Sequence, residues 1–179
     1  MLINILLFIV VIISTMILLY YNSFVKRNNY VKERASHIDV LLNQRFDLIP
    51  NIVECVKGYT KHESDTLEEL TSLRSNYNNH SFSVEETEQI DKKFNKVMML
   101  AEAYPDLKAN TQFLSLQSNL NEIENNLSYA RSSYNSAVNS YNTLVESVPS
   151  NIIAKIFAFE KKEFFKLEED KKANVKVNL

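Results

Sequence analysis

The sequence predicts an all-α protein: one N-terminal transmembrane helix followed by an antiparallel bundle of three to four long helices. Three observations carry this expectation. The 179 residues include one glycine and three prolines, too little turn chemistry for a β-rich or α/β fold. The segment from Leu2 to Tyr21 is apolar and free of charge. Apolar residues in the second half recur at alternating steps of three and four, the spacing of one helix face.

The apolar segment comes first in the chain. Its polar members apart from the terminal tyrosines are Asn4, Ser14 and Thr15. Roughly 20 residues at 1.5 Å rise span a hydrocarbon core of about 30 Å. Tyr20 and Tyr21 fall where an interfacial aromatic belt sits. A cleaved signal peptide would have a basic start, a shorter apolar run and a small-residue cleavage site. No Lys or Arg precedes this run, and its exit, Leu18-Leu19-Tyr20-Tyr21-Asn22, is bulky. A lipoprotein would carry a cysteine at that exit, and none stands there. Residues 1–24 therefore read as an uncleaved anchor. Lys26, Arg27, Lys32 and Arg34 follow it, and the positive-inside rule places the remainder in the cytoplasm, with the N-terminus outside. The same basic cluster has a second reading as a contact for anionic lipid.

Residues 25–150 read as the bundle. Val31, Ala35, Ile38, Leu42, Ile49, Ile52, Val56 and Tyr59 trace one seam, interrupted by Pro50, which should break or kink the helix near residues 46–50. Shorter helices are expected near 60–77 and 84–103. Between them lies a turn at 78–82, and Ser83 with Glu86 forms a capping pattern. Pro105 and Asp106 suit the first turn of the next helix. That helix, from Asp106 to Val148, shows Phe113, Leu116, Leu120, Ile123, Leu127, Ala130, Tyr134, Ala137, Tyr141, Leu144 and Val148 in phase. Such persistence argues for bundle or coiled-coil packing. Residues 151–167 read as a short amphipathic helix, either docked on the end of the bundle, the favoured reading, or lying on a membrane surface. The charged tail, 168–179, is expected to fray.

No reactive constellation is visible. Multi-glycine phosphate loops are excluded by the single Gly58. The net charge of −2, with acids and bases mixed, gives no footprint for nucleic acid. Cys55 is the one cysteine, so neither an intrachain disulfide nor a cysteine metal cluster forms. His37, His62 and His80 are far apart, and Lys61-His62-Glu63 reads as surface. No enzyme, metal site or cofactor is expected. The informative polar residues are Arg45, on the seam between Leu42 and Ile49, and Gln117, Glu124 and Arg131, spaced every seven residues on the long helix. A buried arginine is costly unless paired. Either Arg45 meets Glu124 in a polar layer that fixes register, or helix rotation near Pro50 lets it reach water. If the two form a simple pair, reversing both charges should restore stability.

The blocks Arg45-Phe46-Asp47-Leu48-Ile49-Pro50-Asn51-Ile52-Val53-Glu54 and Tyr104-Pro105-Asp106-Leu107-Lys108-Ala109-Asn110 resemble the signature of the LemA family of bacterial proteins. So do Phe113, Leu116-Gln117, Glu124, Ala130-Arg131 and the repeated Tyr134-Asn135 and Tyr141-Asn142. The resemblance implies a single N-terminal membrane helix with a short external N-terminus, and an antiparallel helical bundle. It carries over no catalytic residue. Arg45, Asp47, Asn51, Asp106, Lys108, Asn110, Gln117, Glu124 and Arg131 stand as the candidate polar layer or partner surface. The expected function is a membrane-anchored, non-enzymatic scaffold or adaptor of the bacterial cell envelope, with a protein partner and with self-association open. The alternative is a bundle that senses a ligand or metal at its polar layer.

Overall fold

The computed structural model describes residues 1–59, 64–75 and 84–165, and among these every regular element is a helix. In order they are α1 (Leu2–Asp47), α2 (Ile49–Lys57), α3 (Ser64–Ser75), α4 (Val84–Glu102), α5 (Pro105–Lys108), α6 (Thr111–Glu146) and α7 (Ser150–Ile156). The turn expected at 78–82, the Ser83 cap, the Lys61-His62-Glu63 cluster and the tail from 168 lie outside the described residues.

The helix α1 runs for 46 residues without Gly or Pro, roughly 69 Å. Its first part is exposed from Leu2 to Met16, and Phe24 is its first fully buried residue. One helix among the described residues is thus long and apolar enough to cross a membrane. The second part of α1 packs along α6, its most extensive partner. Phe24 meets Tyr141 at one end and Arg45 meets Glu124 further along, so the two helices run antiparallel.

The break falls at Leu48. Pro50 has no N–H to continue the ladder and its ring crowds the carbonyl of residue 46. Leu48 N–H therefore closes a tighter bond to the Arg45 carbonyl at 3.2 Å, and α2 restarts with Pro50 in its first turn. Ile49, Ile52 and Val56 stay in the core, so the seam continues across the break.

Two apolar clusters fill the bundle. The larger, far from the anchor, joins Ile38, Leu42, Phe46, Ile52, Leu70, Phe94, Leu107 and Leu127. The smaller lies beside the anchor and joins Phe24, Val31, Ala137, Val138, Tyr141, Ile153 and Ala154. Tyr134 packs against both.

Two boundaries differ from expectation. The long helix starts at Thr111, not Asp106, because Asn110 is extended and its Oδ1 accepts from the backbone N–H of Gln112 at 2.8 Å and of Phe113 at 3.0 Å. That capping bond satisfies donors left open at a helix start, and Pro105–Lys108 is left as a single separate turn. The helix expected over 151–167 ends at Ile156. Ala158 adopts a left-handed conformation, φ 54°, and turns the chain back along α6.

That returning segment explains the two Tyr-Asn pairs. Asn142 Nδ2 donates to the Lys162 carbonyl at 2.8 Å, while its Oδ1 accepts from Lys162 N–H at 2.9 Å. Asn135 holds Phe165 in the same way, at 2.8 and 2.9 Å. Seven helical residues rise about 10.5 Å and three extended residues about 10 Å, so a heptad of asparagines matches the strap it grips. Tyr134 stacks edge-on against Phe165, and Phe24 stacks on Phe159. Burial, then the charge of Glu163, pushes the Tyr134 phenol up, which keeps it a donor to the Glu163 carbonyl at 3.3 Å. Each clamp supplies two hydrogen bonds, so Asn135→Ala should speed amide exchange at Phe165 by roughly tenfold or more. Hydrogen exchange read by mass spectrometry on the 160–165 peptide checks this. Unchanged protection would mean that the aromatic contacts alone hold the strap.

Candidate functional site: a buried charge node and a distal cleft

The face of α1 that carries Leu42 and Phe46 also carries Arg45, whose side chain is 5 % exposed. Arg45 does not reach water. Its Nη1 donates to Asp91 Oδ1 at 2.7 Å, and its guanidinium stacks over the Phe94 ring at 4.2 Å. Both partners lie on α4. Glu124 Oε2, on α6, stands 3.2 Å from the same Nη1, and Arg131 Nη2 stands 2.8 Å from the second Asp91 oxygen. These last two are ion pairs by distance, with N–H directions that miss hydrogen-bond alignment. The node therefore joins α1, α4 and α6 with two cations and two anions. Its charges balance, with Arg45 and Asp91 buried and Arg131 and Glu124 partly exposed at its edge, which is what makes burial of the central pair tolerable.

The spacing pointed to Arg45, Glu124 and Arg131 but missed Asp91. The signal was present. Two arginines against one glutamate leave an excess positive charge, and a buried layer needs a further acid to balance it. Asp91 stands next to Ile90 and three residues before Phe94, both core residues of α4. Gln117 is half-buried one heptad before Glu124 and is not part of the node.

The other singled-out residues lie at the end of the bundle opposite the anchor. Asn51 is exposed on α2, and Asp106 and Lys108 are exposed on α5. Asp47 is exposed at the last turn of α1. The C-terminal part of α2 meets the start of α6 there and leaves a cleft of about 510 Å³. Asn51, Glu54, Cys55, Tyr59, Asn110 and Gln112 are among its lining residues. Asn110 Nδ2 donates to the Tyr59 hydroxyl at 2.9 Å, so the residue that caps α6 also ties down the end of α2. Desolvation, then the neighbouring Glu54 carboxylate, pushes the Cys55 thiol up. It is held as a thiol, a weak nucleophile at neutral pH. A second groove of about 370 Å³ runs along the other side of α2, lined by Ile49, Pro50, Val53, Glu54, Lys57 and Thr71. The helix α2 is thus a ridge between two depressions. Among the described residues no three His, Cys, Asp or Glu side chains are grouped to hold a metal ion.

The sequence profile of the LemA family matches residues 34–179. The chain belongs to the LemA family. No curated protein matches it. Membership agrees with the apolar α1 in making this a membrane-associated protein. In this LemA-family chain the signature blocks divide by structural duty. Arg45, Phe46, Ile49 and Ile52 are core or node, and Leu107 is buried beneath the α5 turn. Asn51, Glu54, Asp106 and Lys108 face outward at the distal end.

Proposed function

We propose that this protein is a single-pass, membrane-anchored, non-enzymatic scaffold whose distal end, the α2 ridge with its two flanking grooves, receives a protein partner. The observation that carries this reading is the exposure of Asn51, Glu54 and Lys57 on a ridge placed at the end of the bundle opposite the apolar segment. Packing and capping account for Ile52, Val56 and Asn110 but give no reason for the outward residues, and exposed polar side chains beside concave surface suit recognition. Lys26, Arg27, Lys32 and Arg34 just past the apolar segment favour a cytoplasmic bundle and an external N-terminus by the positive-inside rule. The bacterial cell membrane is the corresponding location.

The alternative reading, a ligand or metal taken up in the charged layer, is less well supported. The layer is filled by its own side chains, with Arg45 pressed between Asp91, Glu124 and the Phe94 ring. Crosslinking in intact cells followed by purification in mild detergent tests the scaffold. A partner recovered near stoichiometry with the natural protein, and lost with Asn51→Ala and Glu54→Lys together, is the expected result. Equal recovery with both forms would remove the ridge from the interface. Recovery of the protein alone would count against a scaffold, and a thermal shift on adding metals or small ligands would then favour the alternative.

A further inference from the structure

The helix α7 presents two apolar faces. Ile153 and Ala154 close the smaller core cluster. Ile152 and Ile156, one turn apart on α7, point away from it and are 58 and 67 % exposed, and Val148 in the turn just before the helix is 81 % exposed. In a helix of seven residues one apolar face is enough for docking, so the second face is unaccounted for by the bundle.

Its position supplies the occupant. The cluster that α7 closes also takes in Ile17 and Tyr20 of α1, the last turns of the apolar segment. The Phe157 ring lies 5.0 Å from the Tyr21 ring. Ile17 to Phe24 is about 10 Å of helix, so α7 sits flush with the level at which α1 leaves the hydrocarbon. A half-exposed Phe157 and an exposed Lys155 complete the composition of an interfacial element, with rings and aliphatics dipping and ammonium groups at the headgroups. Arg27, nearby on α1, is bonded to the Ser140 carbonyl at 3.1 Å, which fixes α6, and with it the α6–α7 turn, against the exit of the anchor.

We infer that Val148, Ile152, Ile156 and Phe157 form a second membrane contact, a foot that inserts into the lipid surface beside the anchor and holds the bundle upright. The inference rests on the proposed reading of α1 as a membrane span. With two contacts the bundle cannot swing freely about the α1 exit, and the α2 ridge is presented at a fixed height.

Depth-dependent quenching tests it on the full chain. A single cysteine is placed by Ile156→Cys in a Cys55→Ser background, labelled with an environment-sensitive fluorophore, and reconstituted in phosphatidylcholine vesicles containing phosphatidylglycerol. Lipids carry a nitroxide near the headgroup or at the chain end. Phe8→Cys reports the anchor, and Ser118→Cys on α6 reports the distal end. A foot about 5–10 Å into the boundary should be quenched by the shallow nitroxide at least about twofold more than the Ser118 probe, and more by the shallow label than by the deep one. Quenching of the Phe8 probe by the deep label with an Ile156 probe indistinguishable from Ser118 would overturn the foot and leave the anchor standing. A Phe8 probe that no lipid label quenches would overturn both. An Ile156 probe that is blue-shifted, unquenched by lipid, and transfers energy between molecules would assign the face to a second copy and overturn the lipid contact.

Discussion

Asp91→Ala is expected to destabilise the bundle by about 3–5 kcal/mol, because it leaves Arg45 buried, and Arg131 half-buried beside it, with Glu124 as the one remaining acid. In a domain of this size that corresponds to a fall in Tm of roughly 6–20 °C, read by circular dichroism on the protein in detergent micelles. Asp91 is the centre of the node: one oxygen takes the Arg45 hydrogen bond and the other faces Arg131. A change within about 0.5 kcal/mol, the range of ordinary surface substitutions, would mean that water satisfies the arginines and that the node is not a structural lock. The same geometry alters what a charge swap should do. Reversing Arg45 and Glu124 together would restore a simple pair. Here the carboxylate introduced at position 45 would face Asp91, so the double reversal should recover little over Arg45→Glu alone. Recovery would require Asp91 and its second partner Arg131 to be reversed as well.

Ile9→Arg with Ile13→Arg should release the protein from the membrane fraction. Each arginine near the centre of a span costs roughly 2.5–3.5 kcal/mol on insertion scales, so the pair removes about 5–7 kcal/mol of anchoring free energy. Both positions are exposed, and α1 has no fully buried residue before Phe24, so the bundle itself should keep its fold. Alkaline extraction of membranes reads the result directly. Retention of the double variant in the pellet would show that the foot at α7 and the basic residues hold the protein without a spanning helix.

The architecture was legible in the sequence to the extent that it depends on periodicity. The seam from Val31 to Val56 and the stripe from Phe113 to Tyr141 mark the faces that pack, and Pro50 marks the break between α1 and α2. What was not legible depends on local competition or on contacts far apart in the chain. Pro105-Asp106 has the chemistry of a helix start, and it does start one. Asn110 then caps again five residues on and wins the long helix, because its side chain reaches two backbone donors. Asp91 hid beside a seam of apolar residues, since nothing local on α4 tells that two arginines from other helices converge there. The Tyr-Asn heptad was visible as a repeat, but its purpose needs an extended partner that the charged, aromatic sequence after Ile156 does not announce. The apolar excess of that same segment was visible, whereas its alignment with Tyr21 exists only in three dimensions.

If a membrane-tethered stalk presents the α2 ridge to a protein partner, as proposed, residues on the ridge should lie against that partner in the cell. Site-specific photocrosslinking in living cells tests it most directly, with a photoreactive amino acid placed in turn at Lys57 on the ridge, at Gln112 on the rim of the cleft, and at Tyr129 on the exposed flank of α6. One discrete adduct of the same mass is expected at Lys57 and Gln112 and none at Tyr129. Adducts at Tyr129 with none at the ridge, or no adduct at any of the three, would contradict it.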